Sequence, residues 1–328
     1  MPIASLARRA IPSSLRKGLR NLLSPRHART WTLDPARIPW FDRPDALDQL
    51  ESRRRREHLS DADTELLTRW VTDGYCVASG IIPADLIDSM LLDLDNAWTA
   101  EQPFAGLDFC DLRFGPGDPV AKTSHRDLLQ ASAAERLYAR SHSNWRTASF
   151  HNYSVGARAI FRHQELKRLC SLILDRPAFP QGSINFEYGS AQEAHQDTAV
   201  FHVFPPNFIV GAWIACEDIS PGCGPLMFYP KSHRQPLFNK FDNYPQTNLR
   251  TAGAEVSREY HEHVERLTGQ YERQLFLAKK GDVFLWHGMT LHGGSEIENP
   301  QLTRKSFVIH YMPRGMNVSG RIVGPFNW

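Results

Sequence analysis

The chain has 328 residues, of which 41% are hydrophobic and 23% are charged, and both fractions are near the average for globular proteins. A net charge of +2 gives no case for nucleic acid as a bulk partner, and no apolar run reaches the ~18 residues that a membrane-spanning helix needs. The five cysteines include no Cys-x-x-Cys motif, which indicates a reducing compartment, so we expect a soluble, cytoplasmic protein.

The N-terminus differs in composition from the rest of the chain. The first 33 residues hold seven Lys or Arg and no acid, and the apolar residues of 11–23 fall at helical spacing. Three alternatives stay open: a helix lying peripherally on an anionic membrane surface such as the inner membrane, an organelle transit peptide, and a mobile or docked tail. We assign 1–59 to this basic extension and a helical linker, and 60–328 to the main domain.

Helical patterns become clear from Ser60 onward. Ser60 is expected to cap a helix that ends at Gly74, and a short strand follows at 75–77. A second helix is predicted over 83–98, with proline suiting its first turn, and another at about 163–175.

Beyond residue 183 the chain is predicted to be mainly strands. Residues 183–188 alternate between apolar and polar, as a half-buried strand does, and 282–287 also have the pattern of a strand. An insert at about 231–273 interrupts the strands with a Pro/Asn-rich loop and a helix at about 254–267. Such an insert can shape substrate access or form a surface excursion, and the sequence leaves both open.

A His-x-Asp pair, His195 and Asp197, carries the chemistry that the sequence indicates. On a strand, residues two apart point to the same face. A distant second histidine can then complete a triad of two histidines and a carboxylate that holds Fe(II) and leaves three coordination positions open. Arg304 and Ser306 are also two apart and can bind one carboxylate together. Iron plus a carboxylate cosubstrate predicts a 2-oxoglutarate-dependent oxygenase.

Several segments resemble the phytanoyl-CoA dioxygenase family, in the family's order. They are 73–77, 186–192 with 195–198, 224–233, 281–287 with 291–294, and 304–306. Lys231 stands where the family usually has glycine. The resemblance covers roughly residues 60 to 315 and implies a mainly β fold with flanking helices and a double-stranded β-helix (jelly-roll) core. It also implies non-haem Fe(II), with 2-oxoglutarate and O2 as cosubstrates and hydroxylation as the usual outcome, but not phytanoyl-CoA as the substrate.

Fourteen histidines compete for the place of the distal ligand. The resemblance implies His292, in Leu-His-Gly-Gly, as the metal-binding residue, which gives His195, Asp197 and His292 as metal ligands and catalytic residues. His287 remains the alternative ligand. His310 is expected to be a polar residue lining the interior of the β core.

Polar residues near the metal motif are candidates for binding 2-oxoglutarate or substrate. Besides Arg304 and Ser306, they are Gln192, Thr198, Asn185 and Tyr188. We expect hydroxylation of an aliphatic C–H bond in a small-molecule or lipid- or sugar-type substrate, with release of succinate and CO2. Two alternatives are a non-catalytic metal-binding jelly roll and a cupin-type metalloenzyme that does not use 2-oxoglutarate.

Overall fold

The structure, a computed structural model, describes residues 37–201, 203–242, 244–318 and 321–322. The basic helix predicted at 11–23 lies outside these residues. Of the described helices, none is long and apolar enough to cross a bilayer. The α-helices are α1 Ala46–Glu57, α2 Asp61–Asp73, α3 Ala84–Ala97, α4 His125–Gln130, α5 Ala133–Ser141, α6 Val155–Phe161, α7 Gln164–Leu174, α8 Asp197–Val200 and α9 Ala254–Thr268. Short 3-10 helices occur at Trp40–Asp42, Phe150–Asn152, Pro221–Cys223 and Ser232–Arg234.

The strands form two facing antiparallel sheets and a small ribbon. They are β1 Tyr75–Ala78, β2 Asp108–Leu112, β3 Ala121–Ser124, β4 Arg146–Ala148, β5 Ala178–Phe186, β6 Val203–Phe204, β7 Val210–Ala215, β8 Leu226–Phe228, β9 Gln274–Phe276, β10 Val283–His287, β11 His292–Gly294, β12 Ser306–Pro313, β13 Asn317–Val318 and β14 Arg321–Ile322. The larger sheet has the order β1-β10-β7-β12-β5-β4-β2-β3, the smaller one β11-β8-β9, and the ribbon β14-β13-β6. Apolar side chains from both sheets, among them Trp213, Phe228 and Phe284, form one buried cluster between them. The predicted mainly β fold with a jelly-roll core is confirmed.

The two faces of strand β12 pack into different parts of the core. Every residue of β12 is buried, because its two faces meet different layers. Phe307 and Ile309 join the apolar cluster under the helices, where α7 contacts both β5 and β12. Val308 and His310 point the other way and line a cavity between the two sheets. The polar positions of this strand therefore face the cavity, as the alternation of its sequence predicted.

The helices begin and end where their local signals predicted. The hydroxyl of Ser60 accepts a hydrogen bond from the Asp63 N–H, and Gly74 ends α2 with a φ of 79°. Pro83 is the N-cap of α3, one position before its predicted place in the first turn. Helix α7, at Gln164–Leu174, lies within the predicted 163–175.

The segment before residue 60 is part of the same core as the rest of the fold. Trp40, Phe41 and Leu50 are buried in the cluster that also contains α2 and α3 side chains. The Trp40 indole donates a hydrogen bond to the carbonyl of Ile173 in α7. The predicted boundary at residue 60 therefore does not separate the apolar core from what precedes it.

The segment that carries the His-x-Asp pair is less regular than predicted. The His-x-Asp pair was expected on a strand, but in the structure Asp197 begins the helical turn α8, which is followed by the two-residue β6. His195 forms only an isolated β-bridge with His292. Gln196 between the pair is extended, with φ −112° and ψ 129°, so the His-x-Asp side chains still converge.

The backbone partners of this segment explain its irregularity. The N–H of His195 donates to His292 O, and that of Thr198 donates to Gly288 O. The N–H of Gln196 between them donates to the phenol oxygen of Tyr260. Because three different parts of the chain bind successive donors, no single strand runs beside this segment.

The insert at 231–273 is built onto the core and is not a surface excursion. Helix α9 confirms the predicted helix, and its Tyr260 and Val264 share a buried apolar cluster with Phe238 and Phe241. Leu249 N–H donates to the carbonyl of Ala199 in α8. The insert therefore holds the helical turn that begins with Asp197.

Lys231, at the start of the insert, has a backbone conformation that favours glycine. Its φ is 69°, in the left-handed region that costs a residue with a Cβ roughly 1–2 kcal/mol. Its N–H donates to Asp73 O at 2.8 Å. This contact ties the loop to the end of α2. The positive φ of Lys231 is the feature that favours the glycine usual in the family.

The contact between α9 and the His-x-Asp segment gives a first prediction. Replacing Tyr260 by Phe leaves the buried Gln196 N–H without an acceptor, so the free energy of unfolding should fall by about 1–3 kcal/mol. Urea unfolding of the metal-free protein measures this. Tyr271→Phe is the matched control, since the Tyr271 hydroxyl binds the side chain of Gln235 in a half-buried place and its loss should cost less than about 0.5 kcal/mol. Equal losses in the two variants would contradict this role of Tyr260.

Candidate metal centre

A cavity of about 270 Å³ lies between the two sheets. Its walls come from β5, β7, β10 and β12 on one side and from β8 and β11 on the other, with the His-x-Asp segment between them. Apolar side chains make up much of the lining: Ile184, Phe186, Val200, Phe201, Trp213, Leu226, Trp286 and Val308. We call its buried end, where the polar side chains of Asp197, His292, Arg304 and His310 lie, the floor.

Three predicted ligands meet there, at the β-bridge between the two histidines. His195 and His292 exchange backbone hydrogen bonds of 2.9 and 3.1 Å. The Nε2 atom of each lies 3.8 Å from Oδ1 of Asp197, and the three ligand atoms lie within 4.8 Å of one another. The structure thus brings together the predicted histidines and carboxylate on one side of the cavity.

The hydrogen bond at Nδ1 of each histidine determines that Nε2 is the atom that can bind a metal. Nδ1 of His195 lies 2.9 Å from the Glu193 carbonyl, and Nδ1 of His292 lies 3.0 Å from the Thr290 carbonyl. A carbonyl only accepts, so each Nδ1 carries the proton and each Nε2 presents a lone pair. Burial and the neighbouring His195 lower the pKa of His292 to about 4, so this ligand is neutral at pH 7.

These contacts test whether the site fits a metal. Three lone-pair atoms face one another at distances too long for hydrogen bonds, so a cation satisfies them where a proton does not. Two imidazoles and one carboxylate are the donor set that suits non-haem Fe(II). The residues fit the metal that the sequence predicted.

His287, the alternative ligand, is occupied elsewhere. Its Nδ1 accepts a hydrogen bond from the Met289 N–H at 3.0 Å, and its Nε2 lies 3.2 Å from Oδ1 of Asp42. Burial by itself would raise the pKa of Asp42, but the contacts with His287 and Asn207 outweigh it and hold that pKa below its usual value. The His287 side chain does not line the cavity, so the structure contradicts it as a ligand.

The second oxygen of Asp197 has two donors that the sequence did not indicate. Oδ2 accepts from Trp286 Nε1 at 2.9 Å and from His310 Nε2 at 3.0 Å. Burial alone would raise the pKa of Asp197, but His310, His292 and His195 together hold it well below its usual range. The carboxylate is therefore ionised, and one of its oxygens is left to face the two histidine ligands.

The two donors converge because of a glycine on the strand between them. Gly211 on β7 is in register with His310 on β12 and with Trp286 on β10. A Cβ at Gly211 would lie 2.1 Å from the Trp286 ring, so only glycine leaves room for the indole. The sequence signal for His310 was its place on the polar face of β12, but its partner could not be read from that pattern.

Ser306 is the first residue of β12, and Arg304 lies two residues before it. Both have unused hydrogen-bonding capacity, although Nη1 of Arg304 donates to the Gly224 carbonyl at 3.4 Å. Arg304 is 2% exposed and lines the cavity, and its guanidinium lies between the rings of Phe186 and Trp213, at 5.5 and 5.8 Å. Within the described ranges, neither its Nε nor the Ser306 hydroxyl has a hydrogen-bond partner. Burial lowers the pKa of Arg304 to about 10, so it stays charged at pH 7. A buried, unpaired cation beside a free hydroxyl fits a carboxylate ligand.

The other predicted polar residues divide between the cavity and the surrounding structure. Gln192 lines the cavity. Thr198 does not; its hydroxyl lies 3.5 Å from the Asn207 side chain. Asn185 is on the far face of β5, where its amide contacts Met90, and Tyr188 is half-buried outside the lining. Of these four, the structure brings only Gln192 to the site.

Comparisons with known proteins agree with this geometry. The model of the family described as phytanoyl-CoA dioxygenase matches residues 70–306. The rat peroxisomal phytanoyl-CoA dioxygenase is 31% identical over 122 residues, 37% of this chain and 33% of the rat protein. Mouse phytanoyl-CoA dioxygenase domain-containing protein 1 is 25% identical over 169 residues, 48% of this chain and 51% of the mouse protein. The chain thus spans about a third to a half of the length of these relatives.

Solved structures share the fold at low sequence identity. The carbocyclase SnoK from nogalamycin biosynthesis has a TM-score of 0.55 at 15% identity, over 80% of this chain and 88% of its own. EctD from S. alaskensis with 2-oxoglutarate and 5-hydroxyectoine has a TM-score of 0.53 at 17% identity, over 82% and 79%. The epimerase SnoN, in complex with Fe3+, alpha ketoglutarate and nogalamycin RO, has a TM-score of 0.53 at 18% identity, over 78% and 85%.

The contact between Trp286 and Asp197 predicts a change in metal affinity. Trp286→Phe removes one of the two donors to Oδ2, and loss of such a supporting partner weakens metal binding about 10- to 100-fold. Anaerobic calorimetry with Fe(II) or Mn(II) measures it. Trp213→Phe is the matched control, because Trp213 also lines the cavity but its Nε1 has no partner in the described part of the chain. Equal affinities for the two variants would show that the indole hydrogen bond does not support the site.

The different contacts of His292 and His287 predict opposite behaviour on substitution. His292→Ala should remove iron binding with little loss of stability, because a ligand is lost. His287→Ala should retain one iron per chain but lower the free energy of unfolding by about 1–3 kcal/mol, since Asp42 loses its partner. Metal analysis and urea unfolding of the metal-free variants give both quantities. Iron retained by His292→Ala and lost by His287→Ala would reverse the assignment.

Proposed function

The chain belongs to the phytanoyl-CoA dioxygenase family, and from this membership we propose that it is a non-haem Fe(II)- and 2-oxoglutarate-dependent oxygenase. The observation that carries the proposal is the pairing of two features in one cavity. One is the triad of His195, Asp197 and His292, and the other is the buried Arg304, whose guanidinium has no acidic partner among the described residues. SnoN has been solved in complex with Fe3+ and alpha ketoglutarate, and EctD with bound Fe and with 2-oxoglutarate, which supports the choice of cofactor and cosubstrate.

In this proposal the two features have separate tasks. Nε2 of His195, Nε2 of His292 and Oδ1 of Asp197 would hold the iron. Arg304 and Ser306 would bind the carboxylate of 2-oxoglutarate that is remote from the metal. The bound iron supplies O2 activation, which couples oxidation of the substrate to decarboxylation of 2-oxoglutarate to succinate and CO2.

The chain's own residues prepare this centre. Trp286 and His310 hold the Asp197 carboxylate in one orientation through Oδ2. The rings of Phe186 and Trp213 restrict the guanidinium of Arg304 to one place in the cavity. The apolar side chains of the lining would lower the local dielectric constant, which would strengthen the charge interactions at the floor.

We further propose that the outcome is hydroxylation of an aliphatic C–H bond. The support is the family, in which hydroxylation is the usual reaction, and the apolar walls above the metal ligands. SnoN and SnoK are named as an epimerase and a carbocyclase, so product analysis has to decide the outcome. Mass spectrometry of an accepted substrate should show the addition of one oxygen atom from 18O2; a desaturated, epimerised or cyclised product would contradict the hydroxylation.

Anaerobic titration tests the oxygenase proposal directly. Adding 2-oxoglutarate to the Fe(II)-loaded protein should produce the weak visible charge-transfer band of the chelate, and admitting O2 should then yield succinate. Iron binding without this band would instead favour the metal-binding jelly roll or a cupin-type enzyme. Neither of those alternatives accounts for the unpaired Arg304.

Substitutions at Arg304 should act on 2-oxoglutarate and leave iron binding intact. Arg304→Leu should raise the half-saturating 2-oxoglutarate concentration on the order of 10²–10³-fold, for a loss of about 3–4 kcal/mol. Arg304→Lys keeps the charge but loses the planar fork, so its value should lie between those of the wild type and the leucine variant. Ser306→Ala removes one neutral donor and should have a smaller effect, of roughly 1.5–3 kcal/mol. An unchanged 2-oxoglutarate requirement in Arg304→Leu rules out this carboxylate site.

A further inference from the structure

We propose that the substrate is an apolar molecule that carries an oxyanion group, a carboxylate or a phosphate, and that Arg250 binds this group at the mouth of the cavity. The inference rests on the proposed function, because it treats the floor of the cavity as filled by metal and cosubstrate. It adds the substrate class and a specificity-determining residue.

The first support is the distribution of charge around the cavity. Arg304, Arg146 and Arg250 line it, and among the described lining residues Asp197 is the only acid. A divalent metal and Arg304 are balanced by Asp197 and the dianion of 2-oxoglutarate, so the loaded floor is neutral. The two remaining arginines therefore leave the cavity positive.

Arg146 and Arg250 are exposed to solvent, so they lie at the entrance of the cavity. Arg304 is 2% exposed, whereas the side chain of Arg146 is 43% exposed and Arg250 is exposed. Arg146 is on β4, in register with Phe186 of β5, which is in register with Ser306 of β12. Because neighbouring strands lie about 4.8 Å apart, the backbone of Arg146 lies roughly 10 Å from that of Ser306, and both side chains are on the same face of the sheet.

The two arginines differ in their partners. Arg146 has an acid beside it, Asp111, at 3.2 Å. Among the described residues Arg250 has no acidic partner, and its guanidinium lies 5.8 Å from the centre of the Phe201 ring. Arg250 is thus the cation at the mouth that is free to bind an anion.

The loop that carries Arg250 holds it in place. The buried side chain of Asn248 donates to the Val200 carbonyl and accepts from the Arg250 N–H. Phe201, below the guanidinium, packs on the ring of His310 with centroids 4.4 Å apart. Arg250 is therefore anchored to the segment that supplies Asp197, one aromatic ring away from the support of the metal site.

The size and lining of the cavity indicate the rest of the substrate. Its volume of about 270 Å³ is below the ~300–1,000 Å³ of typical ligand pockets, and 2-oxoglutarate takes part of it. A substrate must then extend to the mouth. Apolar side chains, among them Ile184, Val200 and Val308, line the same cavity as Arg250, so an apolar body with an anionic end fits it.

Matched pairs of probes test the proposal. Calorimetry would compare octanoate and octyl phosphate with octanamide, together with the butyl and dodecyl counterparts, on the anaerobic Fe(II) protein with saturating 2-oxoglutarate. We expect at least one acid to bind about two- to fivefold more tightly than its amide, because a charge pair at an exposed site is weakened by the surrounding water. Its affinity should fall as salt increases, since the site is exposed, and the comparison of octanoate with octyl phosphate identifies the preferred oxyanion.

Two variants test whether Arg250 is the residue that binds the acid. Arg250→Gln should remove the preference for the acid and leave the amide unchanged. Arg258→Gln is the control, because Arg258 lies on the same insert but forms its ion pair with Glu262 on α9 and does not line the cavity. This variant should bind both probes like the wild type.

The proposal is overturned if no acid in the series binds better than its amide, if Arg250→Gln weakens both probes equally, or if the acids compete with 2-oxoglutarate, which would place them at Arg304. The charge-transfer band, recorded in the same samples, reports separately on the proposed oxygenase function.

Discussion

The Asp197 carboxylate must serve two groups of partners at once, and much of the surrounding structure follows from that constraint. Oδ1 faces the two histidine ligands, while Oδ2 accepts from Trp286 and His310. An ionised carboxylate that is 3% exposed is stable only when its oxygens are satisfied. The in-register row of His310, Gly211 and Trp286 provides the donors for one oxygen and leaves the other for a metal.

The backbone around the metal centre must also keep Asp197 in position beside the two histidines. The histidines are held face to face by their β-bridge, but Asp197 starts a helical turn that no sheet supports. The insert supplies that support through Tyr260, Asn248 and Leu249. The insert therefore contributes Arg250 to the lining of the cavity and also supports the turn that begins with Asp197.

Local signals in the sequence predicted local structure well and long-range contacts poorly. The Ser60 cap, the end of α2 at Gly74 and the inward position of His310 depend on neighbours in the chain or on simple alternation. The helical turn at Asp197 could not be predicted in this way, because its backbone partners are Tyr260 and Gly288. The metal triad was accessible from motif order. The hydrogen bonds of Trp286 and His310 to Asp197 depend on strand register, and only the structure shows that.

The division of charge between floor and mouth suggests how one chemistry can serve different substrates. At the floor, the ligand triad and Arg304 come from the β core and from segments of the family pattern. At the mouth, Arg250 comes from the insert, and Arg146 comes from β4 at the other side of the entrance. If Arg250 binds the substrate as proposed, a change of residue at the mouth would alter which molecule is held and would leave the proposed metal ligands and their donors in place. Phe201 contacts both Arg250 of the mouth and His310 beside Asp197, so in this proposal the residues that select the substrate and those that hold the metal meet at that ring.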